Sequence, residues 1–205
     1  MVCDEKEQQA VADSFEAFDR EVLNIRMRWE LWRLMTGSAI KGPDAKILFD
    51  AAPRFHWYAS QGLLAAVVLG LSRLADSMKD SQGRENLTLE RVHQETEDSY
   101  RIKSNVRAKP VMKTALELIR SDDFRKVRNK VLAHNDLATI IGKDGSLDVE
   151  VIRRAVDGVA CFHSRIKAVR EGTGMNHKTG EGAFASPADV QVCWQEITRL
   201  IARLT

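Results

Sequence analysis

The sequence predicts an all-α fold, an antiparallel bundle of about six to seven helices. Apolar residues recur at intervals of three and four along most of the 205-residue chain, which is the spacing of the buried stripe of an amphipathic helix. No segment alternates apolar and polar residues convincingly, as a half-buried strand does. Mostly short polar segments separate the predicted helices, and helices joined in this way pack as neighbours in a bundle.

Two helical segments are predicted before residue 79. The first ends near Gly37. Its apolar face is formed by Phe15, Phe18, Val22, Ile25, Trp29 and Trp32. The second runs from Ala45 to about Met78. Its stripe is formed by Leu64, Val67, Leu71, Leu74 and Met78. Pro53 either splits this segment or marks the first turn of a new helix, because proline is tolerated at the start of a helix but not inside it.

A polar loop and a shorter helix follow. The loop covers residues 79–86 and contains Gly83, a residue type typical of turns. Thr88 is a suitable N-cap, because a threonine hydroxyl can accept a hydrogen bond from a backbone N–H of the first turn. We expect this helix to extend to Lys103.

The next two helices are predicted to pack on each other as a hairpin. Pro110 opens the first of them. Its apolar positions are Met112, Ala115, Leu116 and Ile119. Residues 121–123, Ser-Asp-Asp, are typical of a turn or cap, and the second helix starts near Phe124.

The last third of the chain contains two more predicted helices. Glycines at 142 and 145 interrupt the pattern, and the sequence favours no element over residues 137–148. The long helix that follows has the stripe Ile152, Ala155, Val159, Phe162, Ile166 and Val169. Residues 171–185 are predicted to be a mobile loop and residues 186–205 a C-terminal helix, within a single domain that spans residues 1–205.

Composition narrows the class of protein. A formal net charge of +2 means that any site for a polyanion must be a local patch rather than the whole surface. Three cysteines without paired spacing favour a reducing compartment. The N-terminus lacks the pattern of a signal peptide, and the longest apolar run, residues 62–71, is too short for a membrane span. We therefore expect a cytoplasmic protein without a membrane partner.

The segment from Ser121 to Asp136 carries the chemistry of interest. On a helical wheel its core line is Phe124, Val127 and Val131. Arg128 falls at about +40° from Phe124 and Asn135 at about +20°, both inside the apolar stripe. A guanidinium cannot lose its charge, so one on an apolar face needs an anion or several acceptors. Arg128 is therefore predicted to point inward or into an interface.

His134 falls on the other flank of the same face, at about −80°. It lies in the last predicted turn, where unpaired carbonyls and the negative end of the helix dipole favour imidazolium. Histidine transfers protons near neutral pH, and arginine binds phosphate through two parallel hydrogen bonds. Together the two residue types suit phosphoryl-transfer chemistry that needs neither a metal nor a cofactor.

Arg128, Asn129, Ala133 and His134 resemble the arginine–polar…histidine signature of the HEPN superfamily. The run RNKVLAHND, residues 128–136, is most similar to its abortive-infection (AbiU-like) branch. The sequence similarity is specific over residues 124–136. Over the rest of the chain the resemblance is architectural, since the number and order of the helices agree.

The resemblance implies a homodimer in which two copies of the motif meet at the subunit interface in a cleft for RNA. Catalytic members cleave RNA without metal, using its 2′-hydroxyl as nucleophile. His134 would then be the acid or base and Arg128 would hold the scissile phosphate. Asn129 would orient or polarise it, with Asn135 and Asp136 as further supporting residues. In one group of toxins a modifiable tyrosine stands two residues after the histidine, where this chain has Asp136, so that form of regulation is not expected here.

Other interpretations of these residues stay open. Arg128 and His134 can instead be a buried pair that satisfies loop carbonyls or Asp136. The cations Arg125, Lys126 and Lys130 are either an RNA-binding patch or a solvated helix face.

Charged residues elsewhere in the chain favour structural roles. His163 lies on a core stripe and is expected to be a core histidine. Arg73 and Asp76 are expected to form a local surface ion pair, although they could line the cleft. The remaining histidines show no metal-binding spacing, so no metal site is predicted.

The sequence thus supports three functions. The first is a metal-independent endoribonuclease, acting as a toxin or antiviral abortive-infection effector in a prokaryote, with an antitoxin protein as a further partner. The second is a HEPN domain that binds RNA or a nucleotide without turnover. The third is a helical scaffold dimer.

Overall fold

The computed structural model describes residues 5–36, 50, 52–100, 108–133 and 149–170. Within them the chain forms six helices: α1 (Glu5–Met35), α2 (Pro53–Leu74), α3 (Leu89–Tyr100), α4 (Ala108–Ile119), α5 (Asp122–Ala133) and α6 (Val149–Arg170). These residues contain no strand, only an isolated antiparallel bridge between Lys79 and Glu85. The predicted all-helical bundle is confirmed. Residues 137–148, the loop at 171–185 and the last helix at 186–205 lie outside the described residues.

The longest helix, α1, packs most extensively on α2, and its whole predicted apolar face is buried. The two helices run antiparallel. Near one end of the pair, Nε2 of His56 lies 2.6 Å from the carbonyl oxygen of Met35. Towards the other, Arg73 forms a 2.9 Å ion pair with Glu21. Between these contacts Gly70 meets Ile25, and the missing side chain lets the two backbones approach closely.

Pro53 begins α2, in the first turn where proline is tolerated. The helix ends at Leu74 rather than near Met78, so the prediction that Met78 continues the buried stripe is wrong: its side chain is 38% exposed. The guanidinium of Arg120 donates hydrogen bonds of 2.8 and 3.0 Å to the carbonyl oxygen of Ala75. These bonds satisfy a carbonyl that a continuing helix would have used.

The polar loop at residues 79–86 and the cap of α3 agree with the sequence. Gly83 has φ +76°, a left-handed conformation that glycine adopts without strain. The hydroxyl of Thr88 accepts a 3.2 Å hydrogen bond from the backbone N–H of Arg91, which makes Thr88 the N-cap. The predicted extension of α3 to Lys103 passes into residues 101–107, outside the described part of the chain.

Helices α4 and α5 are joined at Arg120 and Ser121 but do not form the predicted hairpin. α4 begins two residues before Pro110 and packs chiefly on α6, where Gly158 lies against Ala115. α5 packs chiefly on α2. Both α4 and α5 turn their apolar stripes toward the centre of the bundle. There each makes most of its contacts with a helix that is not its neighbour in sequence.

The long helix α6 closes the core. Its predicted stripe is buried from Ile152 to Ile166, and Phe162 packs edge-on against Phe18 of α1, with ring centroids 5.9 Å apart. His163 is buried beside them, as expected for a core histidine. Of the helices described, none has the length and apolar character needed to cross a membrane.

Candidate active site

Helix α5 carries the predicted catalytic arginine. The hydroxyl of Ser121 accepts a 3.1 Å hydrogen bond from the backbone N–H of Phe124, so Ser121 is the N-cap that starts the helix. The predicted core line, Phe124, Val127 and Val131, is buried. These three side chains fix the rotation of α5 about its axis and therefore decide where every other residue of the helix points.

Arg128 lies on the flank of this buried line and is half-buried. Its Nη2 and Nε atoms are 3.3 and 3.4 Å from Oδ1 of Asn129, long contacts with a neutral acceptor. Arg128 was predicted to point inward or into an interface, and of these two placements the inward one is only partly correct. Its guanidinium lies at the protein surface, because a long side chain can leave an apolar face while its methylene groups remain packed.

No carboxylate among the described residues pairs with Arg128. Arg128 contacts Asn129, its neighbour in the signature, and the part of the chain that the structure describes offers its guanidinium no other hydrogen-bond acceptor. A planar cation with unused parallel donors suits a phosphate or carboxylate ligand.

The three other cations of α5 are exposed and differ in their partners. Arg125 pairs with Asp122 at 2.9 Å, and Lys126 lies 3.4 Å from Asp123. Lys130 has no carboxylate partner in the described residues. Two of the three predicted RNA-binding cations thus have a carboxylate beside them on their own helix, and Lys130 has none among the described residues.

The other predicted site residues, His134, Asn135 and Asp136, lie outside the described residues. The described part of α5 ends at Ala133, one residue before the histidine. The convergence of Arg128 and His134 therefore stays a prediction.

Helix α5 begins beside the C-terminal end of α2, since Arg120 binds the carbonyl oxygen of Ala75. From there α5 packs chiefly on α2. Leu132 follows Arg128 by one turn on the same flank of α5 and is 41% exposed. Sequence reasoning missed this exposed leucine, although its position about 80° from Phe124 places it outside the core line.

The predicted pair of Arg73 and Asp76 does not form. Arg73 pairs with Glu21 of α1 instead, because α2 ends at Leu74 and the helical spacing that would align Arg73 with Asp76 is lost. Arg73 therefore joins α1 to α2.

A second polar cluster lies between α1 and α6. Nε2 of His163 is 2.8 Å from one carboxylate oxygen of Asp19, and Arg170 is 3.3 Å from the other. Partial burial opposes ionisation of Asp19, but the hydrogen bond to His163 and the charges of His163, Arg170 and Lys167 outweigh it and lower the pKa of that carboxyl. Arg170 also lies over the ring of Phe15, 4.4 Å from its centroid. The cluster cross-links two long helices.

The chain is a helical bundle that carries an arginine–asparagine pair on the flank of a core-packed helix. A family model described as AbiU2, that of the HEPN_AbiU2 family, matches residues 8–160. This range covers well over half of the chain and includes Arg128 and His134. The chain therefore belongs to the abortive-infection-related AbiU2 family of HEPN domains. None of the curated proteins and none of the solved structures compared with the chain matches it.

Proposed function

We propose that this protein is a metal-independent endoribonuclease that acts as a homodimer, a toxin or abortive-infection effector whose activity an antitoxin protein restrains. The observation that carries the proposal is the state of Arg128. Its guanidinium lies at the surface of a family-matched helix and contacts a neutral amide, with no carboxylate partner in the part of the chain that the structure describes. An RNA phosphate would therefore gain this cation without displacing any of the ion pairs described above.

The proposed reaction is an internal transesterification. The 2′-oxygen of the ribose attacks the adjacent phosphorus, and the bond from phosphorus to the 5′-oxygen breaks. The 2′-hydroxyl proton passes to a base and the departing 5′-oxygen receives a proton from an acid. The products are a 2′,3′-cyclic phosphate and a 5′-hydroxyl. Nothing is oxidised or reduced.

Each step assigns a role to a residue of the motif. His134 moves the proton, since histidine titrates near neutral pH. Arg128 holds the phosphate through two parallel hydrogen bonds and stabilises the charge that builds on its oxygens. Asn129 is a positioning residue, because its Oδ1 already contacts the guanidinium. Asn135 and Asp136 support the histidine end of the site.

The remaining cations of α5 contribute to RNA affinity to different degrees. Each phosphate contact that releases counterions adds about one unit to the salt dependence of binding. Lys130 should contribute in this way. Arg125 and Lys126 contribute less, because the nearby carboxylates of Asp122 and Asp123 repel phosphate.

Cleavage of total cellular RNA by the purified protein in excess EDTA tests the proposal. Wild type should cut, and Arg128→Ala and His134→Ala should not. The matched control is Lys130→Ala, which removes one cation from the same helix and breaks no ion pair with the residues that the structure describes. It should keep cleavage and lose only some affinity. A 2′-deoxy substitution at the cleaved nucleotide should block the reaction.

Melting temperatures separate catalysis from folding. Arg128 is half-exposed and makes only long contacts with Asn129, so Arg128→Ala should change the unfolding free energy by no more than about 0.5 kcal/mol. RNA binding without cleavage by wild type would refute the nuclease and favour the sensing module. Absence of both binding and cleavage would favour the scaffold.

A further inference from the structure

The outer face of α2 is apolar although it faces solvent. It consists of Phe55, Tyr58, Gly62, Ala66 and Leu69, which fall within about 80° on a helical wheel, opposite the buried side. Phe55 is 64% exposed, Tyr58 69% and Leu69 44%. No charged residue occurs between Arg54 and Arg73. A solvated helix face normally carries charged side chains along its length.

The exposed area is comparable with the largest apolar patch on a typical monomer. The two aromatic side chains alone expose on the order of 200–300 Å², and Leu69 adds to the same stripe. The largest apolar patch on a typical monomeric protein is about 300–600 Å² and often marks a binding site. The outer face of α2 is therefore large enough to be a binding site.

Helix α5 carries a further exposed apolar residue near α2. It begins beside the C-terminal end of α2 and packs chiefly on that helix. Leu132 is 41% exposed there, one turn from Arg128. The apolar surface and the guanidinium of Arg128 are thus parts of adjoining helices.

We propose that the outer face of α2 is a two-fold interface with a second copy of this chain, with the axis passing beside Gly62. This assignment builds on the homodimer of the proposed function and names the surface that forms it. The residues of the face are arranged symmetrically about position 62. Phe55 and Leu69 are each seven residues away, and Tyr58 and Ala66 are each four residues away.

An antiparallel pair of α2 helices that crosses at Gly62 would match large side chains with smaller ones. Phe55 of one copy would lie against Leu69 of the other, and Tyr58 against Ala66. Gly62 has no atom within 4 Å of the position that a Cβ would take, so the crossing point is open to a second helix. A two-fold interface requires such self-complementarity, because both copies present the same patch.

The distribution of charge also fits a second copy. The face is uncharged and has an arginine just beyond each end, Arg54 and Arg73. A strongly acidic or basic partner would leave its own charges unpaired against the centre of this face. A second uncharged face would bring no charges to the centre and would leave none unpaired there.

The stretch from Phe55 to Leu69 is about 21 Å long at 1.5 Å per residue. One helix face of this length falls short of the roughly 800 Å² per partner of a standard interface. The interface therefore has to include the α5 flank with Leu132, which brings Arg128 of each copy to its edge.

Cysteine cross-linking tests the position of the axis. In the full chain with Cys3, Cys161 and Cys193 replaced by serine, Gly62→Cys should give a disulfide-linked dimer on mild oxidation. Only Cα atoms within about 7 Å can be bridged. The matched control is Lys113→Cys, an exposed helix position on α4 away from the face, which should stay monomeric on the same gel. Equal cross-linking at both positions, or at neither, would overturn the assignment.

Sedimentation of the full chain provides a second measurement. Wild type should sediment at twice the chain mass and Tyr58→Glu at the chain mass, with unchanged helical circular dichroism. A monomeric wild type at its highest soluble concentration would exclude the interface. A wild-type dimer that Tyr58→Glu leaves intact would place the interface elsewhere.

These outcomes are separate from the fate of the nuclease. A dimer linked through position 62 that cuts no RNA would keep the interface and remove the proposed activity. RNA cleavage by a protein that stays monomeric would keep the proposed activity and remove the interface.

Discussion

Gly70→Ala tests the closest part of the packing between α1 and α2. A Cβ at this position would lie 2.8 Å from Cγ1 of Ile25, 3.0 Å from its Cδ1 and 3.1 Å from Oε1 of Glu21. Carbon atoms in good contact are about 3.5–4.0 Å apart, and Ile25 is only 1% exposed, so it has no space to retreat into. Overpacking of this kind costs about 1–3 kcal/mol.

Two effects of this substitution oppose each other. Alanine is favoured over glycine inside a helix by about 1 kcal/mol, so the net destabilisation should be about 1 kcal/mol. For a chain of this size that corresponds to a fall of about 2–4 °C in Tm. The unfolding free energy from urea denaturation, followed by circular dichroism, gives the value directly.

Gly62→Ala is the matched control, because it adds the same methyl group to the same helix with no neighbour within 4 Å. It should stabilise the chain by about 0.5–1 kcal/mol. The difference between the two variants isolates the steric cost. Since Gly62 belongs to the proposed interface, both are compared at concentrations where the urea midpoint no longer depends on concentration. Equal stability of the two variants would refute the close approach at Gly70.

Three further changes probe the fold. Thr88→Ala should cost about 1 kcal/mol because the backbone N–H of Arg91 loses its acceptor, whereas Thr88→Ser should cost much less; equal urea midpoints for the two variants would rule out the cap. Burial lowers the pKa of His93, so the unfolded chain binds its proton more readily, and stability should fall as pH drops below about 6.5. His93→Gln should flatten the pH dependence of the urea midpoint between pH 7.5 and 5.5, and an unchanged slope would contradict this role. His163 and the nearby cations lower the pKa of Asp19, so Asp19→Asn should destabilise the protein at pH 7. The stability difference between wild type and variant should shrink as acid titrates the wild-type carboxyl, and a difference that stays constant with pH would contradict this role of Asp19.

The helices themselves could be predicted because each one buries a continuous stripe. The face from Phe15 to Trp32 and the stripe from Ile152 to Ile166 are buried as the spacing requires. The spacing of apolar residues shows which side of a helix is buried, but it does not show which other helix packs against that side. The predicted hairpin of α4 and α5 was wrong for this reason, since α4 packs chiefly on α6 and α5 on α2.

The end of α2 shows a second limit of sequence reasoning. Met78 continues the apolar spacing, yet the chain leaves the helix at Ala75, whose carbonyl oxygen binds Arg120. These two residues are 45 positions apart, so no local pattern encodes their contact. Arg73 likewise finds Glu21 on another helix rather than Asp76 nearby.

The motif residue Arg128 was predicted to lie inside the apolar stripe, whereas it is half-buried on the flank of the core line, and its partner was not foreseeable. The wheel fixes the direction of its Cβ, whereas the guanidinium extends several bonds further and reaches the surface beside Asn129.

The outer face of α2 had a signal in the sequence, the absence of charge between Arg54 and Arg73. That signal alone fits a buried helix equally well, and only the exposure of Phe55 and Tyr58 distinguishes the two.

The proposed interface and the proposed chemistry together predict how activity depends on concentration. In one copy Arg128 is half-exposed, and solvent and salt weaken the attraction between an exposed cation and phosphate. A second copy seated on α2 and the α5 flank would exclude water from this guanidinium and bring a second motif beside it. Below the dissociation constant of the dimer, the initial cleavage rate should therefore rise with the square of protein concentration, and above it linearly. The dimer linked through Gly62→Cys should remain linear throughout, and a linear rate for the unlinked wild type at all dilutions would show that one copy suffices.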